Sequence, residues 1–132
     1  MDITAKLRNL RIAPRKVRLI ADLVRGRSVE SAVAELQFWQ KRAAEPIRKL
    51  IESAIANAEH NFKVKTDNLV IKSITVNDAV TMKRSLPRAF GRATPIRKRG
   101  SHVILVLAER EPSVKQAKVV AVSKAKVKAV KK

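Results

Sequence analysis

Charge is placed unevenly along this chain, and any fold it adopts has to accommodate that. Residues 28–78 carry seven basic and seven acidic side chains, whereas residues 79–108 carry seven basic and no acidic ones. Residues 1–27 and residues 109–132 each carry eight basic and two acidic groups. The formal charge is +19. A compact domain with this excess repels itself unless a polyanion neutralises it. The neutral block therefore reads as the folded body and the flanks as the binding surface. Nucleic acid is the first partner to consider, because solubility alone needs far less charge.

The kind of cation differs along the chain as well. Residues 1–27 hold Arg8, Arg11, Arg15, Arg18, Arg25 and Arg27 against Lys6 and Lys16. Residues 79–108 hold Arg84, Arg88, Arg92, Arg97 and Arg99 against Lys83 and Lys98. After Glu111 every basic residue is Lys. Arginine grips phosphate with a planar fork and stacks on bases, while lysine is a hydrated point charge. The two Arg-rich zones are expected to make shape-dependent contacts, and the tail looser ones.

Several classes fall away. The chain has 132 residues, the length of one domain, and its 45% apolar content is enough for a core. It has no cysteine, which excludes disulfides, thiolate zinc sites and a cysteine nucleophile. No apolar run approaches the ~20 residues that span a bilayer, and residues 1–10 lack a signal-peptide stretch, so an intracellular protein is expected. The only histidines, His60 and His102, have no carboxylate pair, phosphate-cradling glycine loop or metal-spaced cluster around them. No catalytic residue, metal site or cofactor is expected. His60 is expected on the polar side of the third helix beside Asn57 and Asn61, and His102 as a satisfied structural residue.

Hydrophobic spacing outlines the body. Ile3, Ala5 and Leu7 alternate with polar neighbours, as in a half-buried strand. Pro14 suits the first turn of a helix whose apolar stripe is Val17, Ile20, Ala21 and Val24, with Gly26 as its C-terminal cap. Arg15, Lys16, Arg18 and Arg25 lie off that stripe and stay available to a ligand. Ser28 is placed to cap a second helix, with Glu30 complementing its dipole. Its stripe is Val29, Ala32, Val33 and Leu36, and Phe38 and Trp39 at its end read as core anchors. Ala43, Ile47, Leu50, Ile51, Ala54, Ile55 and Ala58 mark a third helix that starts near residues 42–45, with Pro46 in its first turn. Leu69–Val76 and Val103–Ala108 read as strands. The order strand, three helices, strands makes an α+β fold in which three helices pack on a small antiparallel three-stranded sheet.

Residues 77–101 do not resemble an ordinary loop. Gly91 sits near their centre, with Pro87 four residues before it and Pro95 four after. Glycine supplies a reversal, and both strands of a lone ribbon have outward edges that tolerate proline. These residues read as one long protruding β-hairpin with its tip near Phe90 and Gly91. About a dozen residues per leg would reach roughly 40 Å. A lone two-stranded hairpin is marginal in water, so this one needs an anionic partner along its length. Residues 112–132 are almost wholly Lys, Val, Ala and Ser, a basic tail expected to stay disordered until it meets polyanion.

Three runs carry a family resemblance. They are Ile12-Ala-Pro-Arg-Lys-Val-Arg-Leu-Ile-Ala-Asp-Leu-Val-Arg-Gly26, then Lys41-Arg-Ala-Ala-Glu-Pro46 with Ser53-Ala-Ile-Ala-Asn-Ala-Glu-His-Asn61, and Arg84-Ser-Leu-Pro-Arg-Ala-Phe-Gly-Arg-Ala93 with Ile96-Arg-Lys-Arg-Gly-Ser-His102. Over roughly residues 3–110 the chain resembles the bacterial large-subunit ribosomal protein twenty-two family. The resemblance implies one α+β rRNA-binding domain over residues 1–111, including the extended hairpin 77–101. It also implies that the body lies on the outer surface of the subunit and that the hairpin threads through large-subunit rRNA to line the nascent-peptide exit tunnel. The tunnel-lining tip would be Arg88, Ala89, Phe90, Gly91 and Arg92. Phe90 stands where the family often has a basic or small residue. The rRNA-binding residues would be Arg8, Arg11, Arg15, Lys16, Arg18 and Arg25 on the body, with Lys83, Arg84, Arg88, Arg92, Arg97, Lys98 and Arg99 on the arm. The implied partners are large-subunit rRNA, neighbouring large-subunit proteins and the passing nascent peptide. The implied location is ribosome-bound and cytoplasmic, with no membrane contact and no homo-oligomer.

The main competing reading is a DNA-architectural protein that bends the duplex with a basic β-arm, using Pro87 or Pro95 as a wedge. A helix-turn-helix over residues 14–39 would place Glu30 and Glu35 on its recognition helix, which suits DNA poorly. The first helix is amphipathic and cationic, but it lacks the Trp/Phe anchors of a membrane-surface helix.

Overall fold

Alternating apolar side chains draw Asp2–Leu10 into an edge strand, β1, and the rest of the body assembles against the strand that pairs with it. The computed structural model describes residues 2–109, and the basic-tail expectation lies outside them. After β1 come α1 (Pro14–Val24), α2 (Val29–Phe38) and α3 (Ala44–Asn57). The strands β2 (Leu69–Asp78), β3 (Met82–Pro87), β4 (Ala93–Lys98) and β5 (Ser101–Glu109) follow. The body sheet is antiparallel with order β1-β5-β2, and β3 and β4 form a separate two-stranded ribbon. This is the expected α+β arrangement.

The last strand in sequence is thus the central one. Val103, Leu105 and Leu107 of β5 are fully buried beneath the helices, together with Ile3 of β1 and Leu69, Ile71 and Ile74 of β2. Val17, Ile20 and Val24 of α1 and Ile47, Ile51 and Ala54 of α3 close the core from above. α1 therefore buries the whole stripe that its spacing predicts, while Val33 of the α2 stripe and Ile55 of the α3 stripe pack against the core only partly buried. At ~25 cal/mol per Å² of buried apolar surface, this single cluster is the main stabilising term.

Local signals explain the element ends. Pro14 opens α1, and Gly26 follows it in the left-handed region, with φ 75°. The turn after α1 pairs its backbone with β2. Gly26 N–H donates to the Ile71 carbonyl and Ile71 N–H to the Arg27 carbonyl, both at 3.0 Å. That use of the α1–α2 turn removes it from a helix-turn-helix role. Lys72 stands at a register shift in β2. Its ammonium reaches across β5 to Asp2 of β1 at 2.7 Å, and this hydrogen bond draws the Asp2 carboxyl below its ordinary range.

Four expectations need correction. Phe38 and Trp39 are not core anchors: Phe38 is 84% exposed and Trp39 41%. The α2 stripe reaches the core only as far as Leu36, and Trp39 leaves the helix in an extended conformation. Ser28 precedes α2, but its hydroxyl makes no cap hydrogen bond. The third helix gives way at Ala58–Phe62 to a π-turn, where His60 is exposed and contacts Asn61. The hairpin is not one continuous ladder either. Between the pairs Asp78–Ser101 and Met82–Lys98, the three residues 79–81 oppose only Arg99 and Gly100. An extra residue on one leg bends and twists a ribbon, so the ladder beyond it is six residues per leg, about 20 Å.

Leu105 lies fully buried in the central strand. Leu105→Ala should cost ~2–5 kcal/mol of stability, measured by urea denaturation.

Candidate nucleic-acid interface

The arm leaves the body where the two ends of the sheet hairpin meet the segment linking β1 to α1, and hydrogen bonds hold both legs there. On the return leg, the buried Ser101 hydroxyl donates to the Ile12 carbonyl at 3.0 Å. Asn9 N–H donates to His102 Nδ1 at 3.1 Å, which makes His102 the structural residue expected. Asn9 itself is left-handed, φ 57°, and Asn is among the few residues that adopt this readily. Gly100 is buried, and an added Cβ would meet the Leu10 carbonyl at 3.3 Å and the Ala79 side chain at 3.4 Å. Its lack of a side chain lets the leg pass close to β1. On the outgoing leg, the Arg18 guanidinium donates to the Val76 carbonyl at 3.2 Å and to Asp78 at 3.3 Å.

This clasp gathers cations that are far apart in sequence. Ala13, Pro14, Arg15, Lys16, Arg18, Asp78 and Arg99 line one cleft at the arm root. A second cleft beside it is lined by Arg11 and Arg42 of the body and by Arg97, Lys98 and Arg99 of the arm. The first turn of α1 carries no acid, and Arg15 and Lys16 occupy it. Cations at the positive end of a helix dipole are unfavourable in isolation, and exposed amides there favour an anion. The arrangement is suited to binding phosphate.

The sequence-predicted residues divide accordingly. Arg11, Arg15, Lys16, Arg18, Arg97, Lys98 and Arg99 come together at the root. Lys83, Arg84, Arg88 and Arg92 lie exposed along the arm. Arg8 is exposed near the bulged end of β1, outside these clefts. Arg25 sits past the far end of α1, bonded to the Ile74 carbonyl at 3.2 Å and to Asp22 at 3.0 Å. Arg42, which lines the second cleft, and Lys41 beside it in sequence were not among the predicted site residues, because they fall in the electrically neutral block. Their place in the Lys41–Pro46 run was the available signal.

The arm carries its own tension. Lys83 pairs directly with Arg97 across the ribbon, and like charges so placed repel. The tip closes through Arg88 N–H to the Arg92 carbonyl at 2.8 Å. Phe90 and Gly91 are both left-handed there, φ 58° and 66°, and Phe90 is completely exposed. Pro87 and Pro95 pair with Ala93 and Ser85 inside the ladder. Pro87 closes the ladder directly before the tip turn, whereas Pro95 lies within the ladder.

The family model described as "Ribosomal protein L22p/L17e" matches residues 5–108. Proteins named large ribosomal subunit protein uL22 are similar over most of their length. That of Desulfitobacterium hafniense strain Y51 is 52% identical over 104 residues, covering 79% of this chain and 91% of the relative. That of Acholeplasma laidlawii is 50% identical over 111 residues, covering 84% and 100%. That of Staphylococcus aureus strain JH9 is 45% identical over 117 residues, covering 89% and 100%.

Two outcomes are expected. Ser101→Ala should cost about 1 kcal/mol by leaving the Ile12 carbonyl without its donor, read by denaturation. Lys83→Glu, now facing Arg97, should steady the ribbon by ~0.2–1 kcal/mol. Slower amide exchange over residues 83–97 of the free protein would register this, together with weaker affinity for RNA.

Proposed function

This chain belongs to the ribosomal protein L22p/L17e family, a structural, non-enzymatic component of the large ribosomal subunit, and from that premise we propose that it binds folded large-subunit rRNA through its root clefts and arm. The observation that carries the proposal is the convergence of cations from the β1–α1 segment, α1, the α2–α3 connection and the returning leg of the arm on one root. Beyond it, the arm has no acid anywhere between Asp78 and Glu109.

Phosphate contacts supply affinity and orientation. A-form RNA hides its base edges in a deep, narrow groove, so a folded RNA is recognised by backbone and shape. A thin ribbon with cations on both legs can lie between RNA segments and screen their mutual repulsion. In this reading the RNA also removes the Lys83–Arg97 repulsion and orders the arm. The arm supports assembly by holding several rRNA regions together, and its tip, Arg88 to Arg92, forms part of the nascent-peptide tunnel wall. The nascent peptide is then a passing partner and neighbouring large-subunit proteins are lasting ones. The DNA-bending alternative is disfavoured by the family relationship.

Sedimentation of a cell extract through a high-salt gradient tests this reading. Loose phosphate binding falls steeply with ionic strength, whereas an arm enclosed by folded RNA is retained. The chain should co-migrate with the large subunit, and release to the top of the gradient would refute the proposal. Deleting residues 82–98 should leave a body that still binds RNA but yields subunits with an altered tunnel.

A further inference from the structure

Beside the root clefts, separated from the arm, α1 and the α2–α3 connection enclose a third cavity of about 570 Å³. Its apolar walls are Leu19, which is 70% exposed, and the half-exposed Trp39. Large apolar side chains left in water at a concave site mark a contact surface. Gln40 lines the cavity too, and its amide offers both a donor and an acceptor. Arg11, Lys16, Lys41 and Arg42 surround it, and no lining residue is acidic. Arg11 and Arg42 also line the cleft at the arm root, so the two sites adjoin.

We propose that this cavity takes one unstacked nucleobase of large-subunit rRNA, with Trp39 as its stacking platform. The inference rests on the rRNA-binding reading above and adds a contact that backbone recognition does not supply. Charge complementarity selects the occupant. An apolar protein segment would cover Leu19 and Trp39 but desolvate four cations without partners, which is costly. A nucleotide brings a flat π-face for Trp39, a polar edge for Gln40 and flanking phosphates for the cations. Splayed-out bases stacked on aromatic rings are how proteins read the unpaired parts of an RNA.

Trp39 is the only tryptophan in the chain and there is no tyrosine, so intrinsic fluorescence reports this cavity directly. The experiment titrates the full-length protein with transcribed large-subunit rRNA at several salt concentrations. Trp39 emission should be quenched on binding. Trp39→Ala should weaken binding about tenfold, within the range for loss of one base–aromatic stack. Its slope of log affinity against log salt should match the wild type, because no phosphate contact is lost. Arg42→Ala should instead flatten that slope by about one. Trp39→Phe should keep most of the affinity, and circular dichroism checks that each variant is folded. Tight rRNA binding with unchanged Trp39 emission and a fully active Trp39→Ala variant would overturn the base pocket and leave the rRNA reading intact. Failure of the wild type to bind rRNA would overturn both. Emission that changes only when other subunit proteins are added would assign the cavity to a protein and also overturn the proposal.

Discussion

The hydrogen-bonded ladder of β5 carries this structure. It is the only described strand of the body sheet paired along both edges, with β1 on one side and β2 on the other. One of its faces supplies the floor of the core through Val103, Leu105 and Leu107. Its first residues, Ser101 and His102, bond to Ile12 of the β1–α1 segment and to Asn9 near the end of β1. The chain entering β5 is the returning leg of the arm. Core packing and arm direction are therefore set by the same few residues. The missing side chain at Gly100 and the buried hydroxyl of Ser101 have their effect at that junction.

Around this rigid root the surface is electrostatically incomplete. The positive end of α1 carries cations, Lys83 opposes Arg97, and Phe90 occupies a backbone region that disfavours side chains with a Cβ. Each departs from the pattern that most stabilises an isolated domain, and such departures concentrate where a partner completes the structure. They also lie on one continuous path from the α1–α3 side, through the root, to the tip. In the proposed reading, a polyanion along that path would relieve the charge repulsion and give the body and the arm a common partner. The family relationship identifies the setting as the large ribosomal subunit.

Much of this was legible in the residues. Apolar spacing located three helices and the body strands to within a few positions, because each element buries one stripe in a shared core. The acid-free run with Pro87, Gly91 and Pro95 showed the arm, because a segment that cannot bury itself has to protrude. Other features were hidden. Phe38 and Trp39 look like core residues in composition, yet Phe38 falls off the buried face of α2, two positions past Leu36, and Trp39 leaves the helix in an extended conformation. The break at 79–81 against 99–100 is a difference of one residue between two distant legs, and no local pattern reports it.

Local preference and charge thus indicated which segments fold and where uncompensated positive charge lies, since both act through near neighbours and totals. Only the tertiary structure decided which cations meet. Arg42 lies in a neutral stretch and Arg97 in a basic one, yet both line one cleft. Arg25 belongs to the same basic run as Arg15 but ends bonded to the Ile74 carbonyl and Asp22, away from the root. The β5 ladder and the direction of α1 place these groups, and that placement depends on residues nearly a hundred positions apart. The physical reason is that an interface is built from spatial neighbours, and sheet pairing between distant segments chooses them.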